Sequence, residues 1–159
     1  MLIPRIKQIK TLFLIFLTIS LSISCYNSQN LRCTRVVDGD TIILSNGERV
    51  RLIGVDTPET KHPRKPVEYY GKEATAFTKK MVEGKIISLK YDWQERDKYG
   101  RLLAYVYLLD GTFLNAEIIK QGYGFAYTRF TFKYLDEFRE YEREARENKR
   151  GLWADKPSE

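Results

Sequence analysis

The stretch CTRVVDGDTIILSNGERVRLIGVDT, residues 33–57, contains most of the information about the fold. A pair of valines precedes an Asp-Gly turn signal, and residues 41–44 form a β-branched and aliphatic run. Asn46-Gly47 is a strong hairpin signal, because a type I′ turn needs positive φ at both of its central residues. Residues 49–55 alternate charged and apolar side chains, so one face of that segment is buried. The stretch therefore predicts three consecutive strands.

The remaining sequence predicts two more strands and three helices from the spacing of its apolar residues and the glycines that follow them. The elements are strands 86–91 and 102–109 and helices 70–81, 114–118 and 135–145, with Gly84, Gly122 and Gly151 expected to end the helices. This order of elements predicts an α+β, mainly β fold. We expect a five-stranded barrel of the OB (oligonucleotide/oligosaccharide-binding) type with three α-helices packed on it.

The N-terminal segment, residues 1–24, differs from the rest of the chain. It carries Arg5, Lys7 and Lys10 and no acidic residue, and the apolar run TLFLIFLTISLSISC leads to Cys25. This pattern is typical of a secretory signal, and the run is marginal in length for a retained membrane anchor. Removing the three cations from the 27 basic residues leaves 24 against 21 acidic residues, a net charge of +3. Net charge alone therefore does not argue for nucleic acid, whereas the N-terminus predicts export.

The ending SISC resembles the cleavage box of bacterial lipoproteins, in which a lipidated cysteine follows a small residue. That box usually has leucine three residues before the cysteine, whereas Ser22 stands there in this sequence. A cell-envelope lipoprotein attached to the membrane through Cys25 and a freely secreted protein are therefore both open. The predicted division of the chain is a signal peptide over 1–24, a polar tether over 25–32, one domain over 33–154 and a tail over 155–159.

The side chains that could carry out chemistry lie in three polar clusters, DGDT at 38–41, RLIGVDTPE at 51–59 and DKYGR at 97–101. Asp40 and Asp56 close two strands of one sheet, and two carboxylates with a backbone carbonyl suit Ca²⁺ or Mg²⁺. Arg51 and Arg101 could each bind a phosphate through two N–H donors. Glu59 could accept a proton from water. Each cluster alone could be a turn or a helix cap, but together they fit in-line attack on a phosphodiester.

Residues 35–153 resemble the thermonuclease family, typified by staphylococcal nuclease. The motifs DGDT, RLIGVDTPETKHPRKPVEYYGKEATAFTKKMV and DKYGRLLAYVY occur in the order and at the spacing of that family. The resemblance implies a Ca²⁺-dependent phosphodiesterase on an OB-fold barrel with three helices. It implies cleavage of single-stranded DNA, RNA and loosened duplex DNA at the 5′ P–O bond, which leaves 3′-phosphate ends. It also implies that Asp40 and Asp56 bind Ca²⁺ through their carboxylates and Thr57 through its carbonyl.

The resemblance also assigns roles to the other candidate residues. Glu59 is the implied general base, and Arg51 and Arg101 are the implied phosphate-binding arginines, with Arg101 nearest the leaving oxygen. The residues implied to hold the substrate are Lys98 and Tyr99 at a terminal phosphate, Lys65 in a loop near that phosphate, and Tyr127 against the base. Asp38 is expected to orient the metal ligands. Arg129 stands where the family has a second aromatic residue, which implies weaker base stacking.

The sequence therefore predicts a secreted or surface-anchored nuclease, a monomer that hydrolyses DNA and RNA with Ca²⁺. One alternative is a non-catalytic OB module that binds single strands through cations and stacked aromatic rings. Another is a structural surface lipoprotein with a relict site. Loss of the carboxylates or the arginines would favour these alternatives, whereas this sequence contains all of them.

Overall fold

The computed structural model describes residues 31–60 and 66–154. The strands of this part are β1 (Leu31–Asp38), β2 (Thr41–Leu44), β3 (Arg49–Leu52), β4 (Val55–Asp56), β5 (Ile86–Lys90), β6 (Leu102–Leu108) and β7 (Phe125–Ala126). The helices are α1 (Gly71–Val82), α2 (Leu114–Lys120), α3 (Leu135–Glu147) and a 3₁₀-helix, Gly151–Trp153. Within these ranges, no helix combines the length and the apolar character needed to cross a membrane.

Five strands form a closed barrel in the order β1-β2-β3-β6-β5. Neighbouring strands are antiparallel except β3 and β6, which run parallel with Val50 opposite Leu102. The barrel closes between β1 and β5, where Leu31 lies opposite Ile87. This mixed barrel with three helices confirms the predicted α+β fold of the OB type. β1 begins at Leu31, two residues before Cys33, where the sequence placed the start of the domain.

The β2–β3 hairpin is present, but the predicted type I′ turn is wrong. Gly47 has a φ of 84°, whereas Asn46 is not in the left-handed region. The N–H of Leu44 donates to the carbonyl of Glu48 at 2.9 Å, which leaves a three-residue loop between them. Such a loop needs a left-handed residue only at its last position, and the glycine supplies it.

The predicted third strand, residues 49–55, is interrupted after Leu52. Gly54 has a φ of 74°, which a glycine adopts without strain, and the chain turns there toward β4. β4 then pairs with β7 in a separate two-stranded sheet, with Asp56 opposite Phe125. The sequence did not predict this small sheet. It takes Asp56 out of the barrel wall and places it at the end of a separate strand.

Asn115 on α2 fixes the turn between β3 and β4. Its side chain is fully buried, and its amide donates to the carbonyls of Ile53 at 2.9 Å and Ala104 at 3.2 Å. Its Oδ1 accepts the N–H of Val106 at 2.9 Å. A buried polar group that lost such partners would cost about 1–3 kcal/mol. The network therefore holds α2, β6 and the turn in one arrangement.

The core lies inside the barrel and beneath the helices. Its fully buried side chains include Ile42, Leu44, Val50, Leu52, Val106, Ile118, Ile119 and Phe138. Cys33 is buried among them and packs as a small apolar side chain. Burial raises the pKa of Cys33 to about 11, so this thiol is protonated at neutral pH.

A C-terminal clasp, residues 150–153, lies against the end of α2. The backbones of Gly122 and the clasp are so close that a Cβ on Gly122 would lie 2.2 Å from the carbonyl oxygen of Arg150. The N–H of Leu152 donates to the carbonyl of Gly122 at 2.8 Å, and Nη1 of Arg150 donates to the carbonyl of Lys120 at 3.0 Å. The clasp thus joins the last described residues to the middle of the domain.

The prediction that Gly151 ends α3 is wrong. The helix ends at Glu147, and Lys149 adopts the left-handed φ of 49° after it. Gly151 instead begins the 3₁₀-helix, where its own Cβ would lie 2.3 Å from the carbonyl oxygen of Gly122. The predicted glycine stops of the other two helices are confirmed, since Gly84 and Gly122 follow α1 and α2 with positive φ.

Several predictions concern residues outside the described ranges. The predicted signal peptide with Cys25, most of the tether and the tail belong to residues 1–30 and 155–159. Lys65 belongs to residues 61–65, which are also outside the description. Export, lipidation and the role of Lys65 therefore stay predictions.

Candidate active site

Asp40 lies in the turn between β1 and β2, and only 7% of its surface is exposed. Its Oδ1 accepts a hydrogen bond from Thr41 Oγ1 at 2.9 Å. Its Oδ2 accepts the N–H and the Oγ1 of Thr57 at 3.1 and 3.2 Å, and forms a 2.9 Å ion pair with Nη1 of Arg51. Because charge-assisted hydrogen bonds are short and directional, the direction of this carboxylate is fixed.

Arg51 on β3 joins the two predicted metal carboxylates. Besides its contact with Asp40, its Nη1 donates to the carbonyl of Val55 at 2.6 Å and its Nη2 donates to Asp56 Oδ1 at 3.0 Å. Asp56 is half-exposed, and burial raises its pKa above the usual value although Arg51 opposes this. The structure therefore brings the two predicted metal carboxylates to one guanidinium, which holds them from β3.

Gly39 and α1 support the backbone beneath Asp40. Thr78 is fully buried on α1, and its Oγ1 donates to the carbonyl of Gly39 at 2.7 Å. A Cβ on Gly39 would lie 2.7 Å from the Cγ2 of Thr57, which is closer than atoms of two side chains can approach. The glycine is therefore required by space rather than by backbone conformation. It lets Thr57 reach Asp40.

Asp38 and Glu59 form a second carboxyl pair beside Asp40. Burial, followed by the charges of Asp40 and Glu59, raises the pKa of Asp38 to about 6, and the two side chains share a hydrogen bond. Oδ1 of Asp38 is buried without a hydrogen-bond partner among the residues that the structure describes. We call Asp38, Asp40, Asp56 and Glu59 the acidic cluster. Its excess of carboxylates over Arg51 favours a bound cation.

The backbone around Glu59 is held against the start of α1. The N–H of Glu59 donates to Glu68 Oε2 at 3.0 Å, and the N–H of Glu68 donates to the carbonyl of Glu59 at 2.9 Å. Gly71 allows a close approach here, since a Cβ on it would lie 3.0 Å from the carbonyl oxygen of Pro58. Sequence pattern alone indicates no role for Glu68 or Gly71, because these contacts link segments that the pattern does not place together.

The motif DKYGR forms a turn organised by Asp97. Its Oδ1 accepts the N–H groups of Tyr99 at 2.9 Å and Arg101 at 3.0 Å, and its Oδ2 accepts Nε of Arg101 at 2.6 Å. Burial works to raise the pKa of Asp97, but these hydrogen bonds outweigh it and hold the pKa below its usual value. The guanidinium of Arg101 lies 5.6 Å from the ring centroid of Tyr99. Asp97 thus fixes the arginine side chain at its Nε, which leaves both terminal nitrogens for a ligand.

A cleft of about 420 Å³ is lined by residues of both the acidic cluster and the DKYGR turn. The predicted site residues that line it are Arg51, Asp56, Lys98, Tyr99, Arg101 and Tyr127. Asp40 and Thr57 lie directly behind Arg51, to which Asp40 is paired. Residues from β3, β4, the DKYGR turn and the segment after β7 therefore meet around one space.

The cleft also contains aromatic residues that the sequence analysis did not single out. Trp93 and Phe130 line it together with Tyr99 and Tyr127, and we call these four residues the aromatic wall. Trp93 lies in a polar segment that only predicted a connection, and Phe130 directly follows Arg129, whose position implied weaker stacking. The rings of Tyr127 and Phe130 pack edge to face, with centroids 5.3 Å apart. An aromatic ring is therefore present one residue beyond the expected position.

The donor set of the acidic cluster fits a hard cation with few protein ligands. Within residues 31–60 and 66–154, no three His, Cys, Asp or Glu side chains converge in a way that could hold a metal ion. Two carboxylates and a backbone carbonyl, completed by water, nevertheless suit Ca²⁺, which accepts oxygen ligands in flexible geometry. The buried, unpartnered Oδ1 of Asp38 supports a cation nearby.

Comparison with known proteins places the chain in a family. Residues 49–155 match the family described as staphylococcal nuclease homologue. The chain is 41% identical over 139 residues to a thermonuclease of Staphylococcus hyicus, a match that covers 85% of this chain and 82% of that protein. It is 55% identical over 91 residues to a thermonuclease of Staphylococcus intermedius, covering 55% and 54% of the two chains. It is 42% identical over 132 residues to the endonuclease YncB of Bacillus subtilis, covering 79% and 62%.

Proposed function

The chain belongs to the staphylococcal nuclease homologue family and is a nuclease, and from this premise we propose that it hydrolyses phosphodiester bonds of single-stranded DNA, RNA and loosened duplex DNA with Ca²⁺. The observation that carries the proposal is the cleft itself. Arg51 on β3, Arg101 before the neighbouring strand β6 and Asp56 of the acidic cluster all line it. Two guanidinium groups and a carboxylate site for a cation are the groups that phosphoryl transfer requires.

Asp40 and Asp56 would hold Ca²⁺ through carboxylate oxygens and Thr57 through its backbone carbonyl. A bound Ca²⁺ would neutralise negative charge on a phosphate oxygen. The contribution of the chain is to fix these ligands before the substrate arrives, through the hydrogen bonds of Thr57 to Asp40 and the bonds of Arg51 to both carboxylates. Such preorganisation supports the proposal because groups that need not move at the reacting centre contribute most to catalysis.

Glu59 is the proposed base. It would take a proton from the attacking water while the water oxygen forms a bond to phosphorus and the bond from phosphorus to O5′ breaks. The 5′ oxygen takes up a proton from solvent water as it leaves, and the other product has a 3′-phosphate. Arg101, oriented by Asp97, would stabilise the charge that develops on the phosphoryl group and the leaving oxygen.

The remaining residues would bind the substrate. Lys98 and Tyr99 at the DKYGR turn would hold a terminal phosphate, together with Lys65, and Tyr127 would pack on the base. We also propose that the protein is exported, as a secreted protein or as a lipoprotein attached through Cys25, and that it acts as a monomer. The basic and apolar N-terminal segment supports export.

The experiment is cleavage of heat-denatured DNA and of RNA by the purified protein, with millimolar Ca²⁺ and with a chelator. We expect cleavage with Ca²⁺, products with 3′-phosphate ends, and no cleavage in chelator. Undiminished cleavage in chelator would contradict the cation assignment. Binding of single strands without turnover in Ca²⁺ would favour the alternative, a non-catalytic OB module.

A further inference from the structure

Trp93 is held rigidly in an exposed position. It lies between β5 and β6 with 71% of its surface exposed, although a large aromatic side chain normally gains by burial. Its Nε1 donates to the carbonyl of Thr131 at 3.0 Å, so the ring has one defined orientation. Its backbone N–H donates to Asp92 Oδ1 at 2.8 Å, and Oδ2 of Asp92 accepts the N–H of Lys133 at 2.8 Å. The fold therefore fixes the indole without covering it.

The ring lies in the cleft rather than on an unrelated surface. Trp93 lines the same space as Arg101 and Tyr127, and no other aromatic ring packs on it among the described residues. Phe130, 37% exposed, lies in the same cleft and connects Tyr127 to the buried Phe132, with ring centroids 5.3 and 5.9 Å away. One part of the aromatic wall is thus supported from the core, while the indole of Trp93 offers an open face.

The charges around these rings indicate the chemistry of the ligand. Lys98 and Arg101 line the cleft, and Arg129 lies over Tyr127 with its guanidinium carbon 5.9 Å from the ring centroid. Exposed aromatic faces beside cations bind single-stranded nucleic acid, because bases stack on the rings while phosphates contact the cations. A peptide or lipid would not need this combination of flat faces and guanidinium groups.

We infer that Trp93, with Phe130 beside it, forms a stacking position for an unpaired nucleobase, in addition to the one at Tyr127. The cleft therefore holds two neighbouring nucleotides of a single strand. This inference rests on the proposed function and deepens it. It also accounts for Arg129, which stands where the family has a second aromatic residue. In this chain, Trp93 in the connection between β5 and β6 supplies the stacking surface instead.

The experiment compares two substrates and two variants. A nitrophenyl phosphodiester of one thymidine has one base and reaches only one stacking position, whereas an oligothymidylate of eight residues reaches both. For Trp93→Leu we expect KM on the oligonucleotide to rise about 5- to 100-fold, the range that loss of one stacked base implies. We expect kcat on the oligonucleotide and both constants on the one-base substrate to stay within about twofold of wild type.

Trp93→Phe separates stacking from the hydrogen bond to Thr131, because phenylalanine keeps an aromatic face and loses the donor. We expect it to keep most of the affinity for the oligonucleotide. Equal impairment of Trp93→Phe and Trp93→Leu would overturn the inference in favour of a role that only tethers two loops. Thermal unfolding of both variants checks that the fold is retained.

A binding measurement separates this inference from the proposed function. The Glu59→Gln variant is used to slow cleavage, and oligothymidylate should quench part of its tryptophan fluorescence. This quenching should be absent when Trp93→Phe is added. Quenching of Trp93 by the oligonucleotide in a protein that cleaves none of the substrates would support the inference and contradict the proposed function. Normal cleavage with no quenching and no effect of Trp93→Leu would overturn the inference alone.

Discussion

The acidic cluster and the DKYGR turn both contribute residues to one cleft but are built in different ways. In the acidic cluster, Asp40 is buried and depends on partners that are far away in sequence, 17 residues for Thr57. On the other side, the DKYGR turn is organised within five residues by Asp97, and Tyr99 is 72% exposed. The difference indicates that contacts between distant segments fix the carboxylate of Asp40, whereas a local turn is sufficient to orient Arg101 and to leave Tyr99 open to a ligand.

The largest effect is expected for Arg101→Ala. Removing one donor that stabilises a transition state costs about 10²–10³-fold in kcat. Because the ion pair of Arg101 with Asp97 lies within one local turn, we expect the melting temperature to change little. Steady-state kinetics on denatured DNA measures this, with Arg139→Ala on the outer face of α3 as the matched control. If activity fell in proportion to stability, Arg101 would have a structural role, and the contrast between the DKYGR turn and the acidic cluster would be wrong.

Removing Ca²⁺ from the acidic cluster should lower the stability of the folded protein. A ligand at 100 times its Kd stabilises the folded state by about 2.7 kcal/mol, so saturating Ca²⁺ should raise the melting temperature. Asp56→Asn should abolish most of this shift, because it removes one proposed ligand and part of the charge. Asp136→Asn, whose side chain is 94% exposed on α3, is the control and should keep it. Differential scanning calorimetry with and without chelator gives the comparison, and an unchanged shift in Asp56→Asn would contradict the ligand assignment.

A pair of glycine variants tests the difference in packing directly. Gly39→Ala places a methyl group 2.7 Å from the Cγ2 of Thr57, and overpacking of this kind costs about 1–3 kcal/mol. We also expect it to reduce activity, because Thr57 must move away from Asp40. Gly100→Ala in the DKYGR turn meets no atom within 4 Å and strains only the backbone at φ 80°, so activity should largely remain. Chemical unfolding and kinetics of the two variants measure both effects, and equal loss of activity would contradict the proposed contrast.

The smallest effect concerns pH and Asp97. Its folded-state pKa is held below the usual value near 3.9, so its stabilisation is complete above that pH and is lost as the pH falls through the folded pKa. The free energy of unfolding of Asp97→Asn should therefore be roughly 1 kcal/mol lower than that of wild type at pH 7. This difference between the two proteins should become smaller below about pH 3.9. Urea unfolding at a series of pH values measures the difference. If this difference in the free energy of unfolding became larger at acidic pH, a group other than Asp97 would control the pH dependence of the turn.

The sequence predicted the parts of this molecule that depend on local pattern. The five barrel strands and three helices followed from alternation and helical spacing. Asp40 and Asp56 come together as predicted but by another route, since Asp56 lies in the separate β4–β7 sheet and Arg51 pairs with both carboxylates. Arg51 and Arg101, each of which lies inside a compact polar cluster of the sequence, line the same cleft. Local sequence signals are therefore sufficient to predict functional groups that lie close together in one short motif.

Contacts between distant segments were not predictable in this way. Nothing in the polar stretch around Trp93 indicated that its Nε1 would bond to Thr131, 38 residues later. The Asn46-Gly47 signal gave the hairpin but not its three-residue loop, because the turn type depends on how the two strands pair. Gly151 looked like a helix stop and is instead required by contact with Gly122, which only the folded chain brings close.

The clasp at residues 150–153 has a consequence for the order of events during biosynthesis. These residues follow every strand of the barrel in sequence, and their backbone bonds to Gly122 cannot form before they have been made. Domains generally fold as units while the chain emerges from the ribosome N-terminus first, so the enclosure of α2 is completed late. The contact between the two facing glycines, Gly122 and Gly151, is therefore made only after every strand of the barrel has been synthesised.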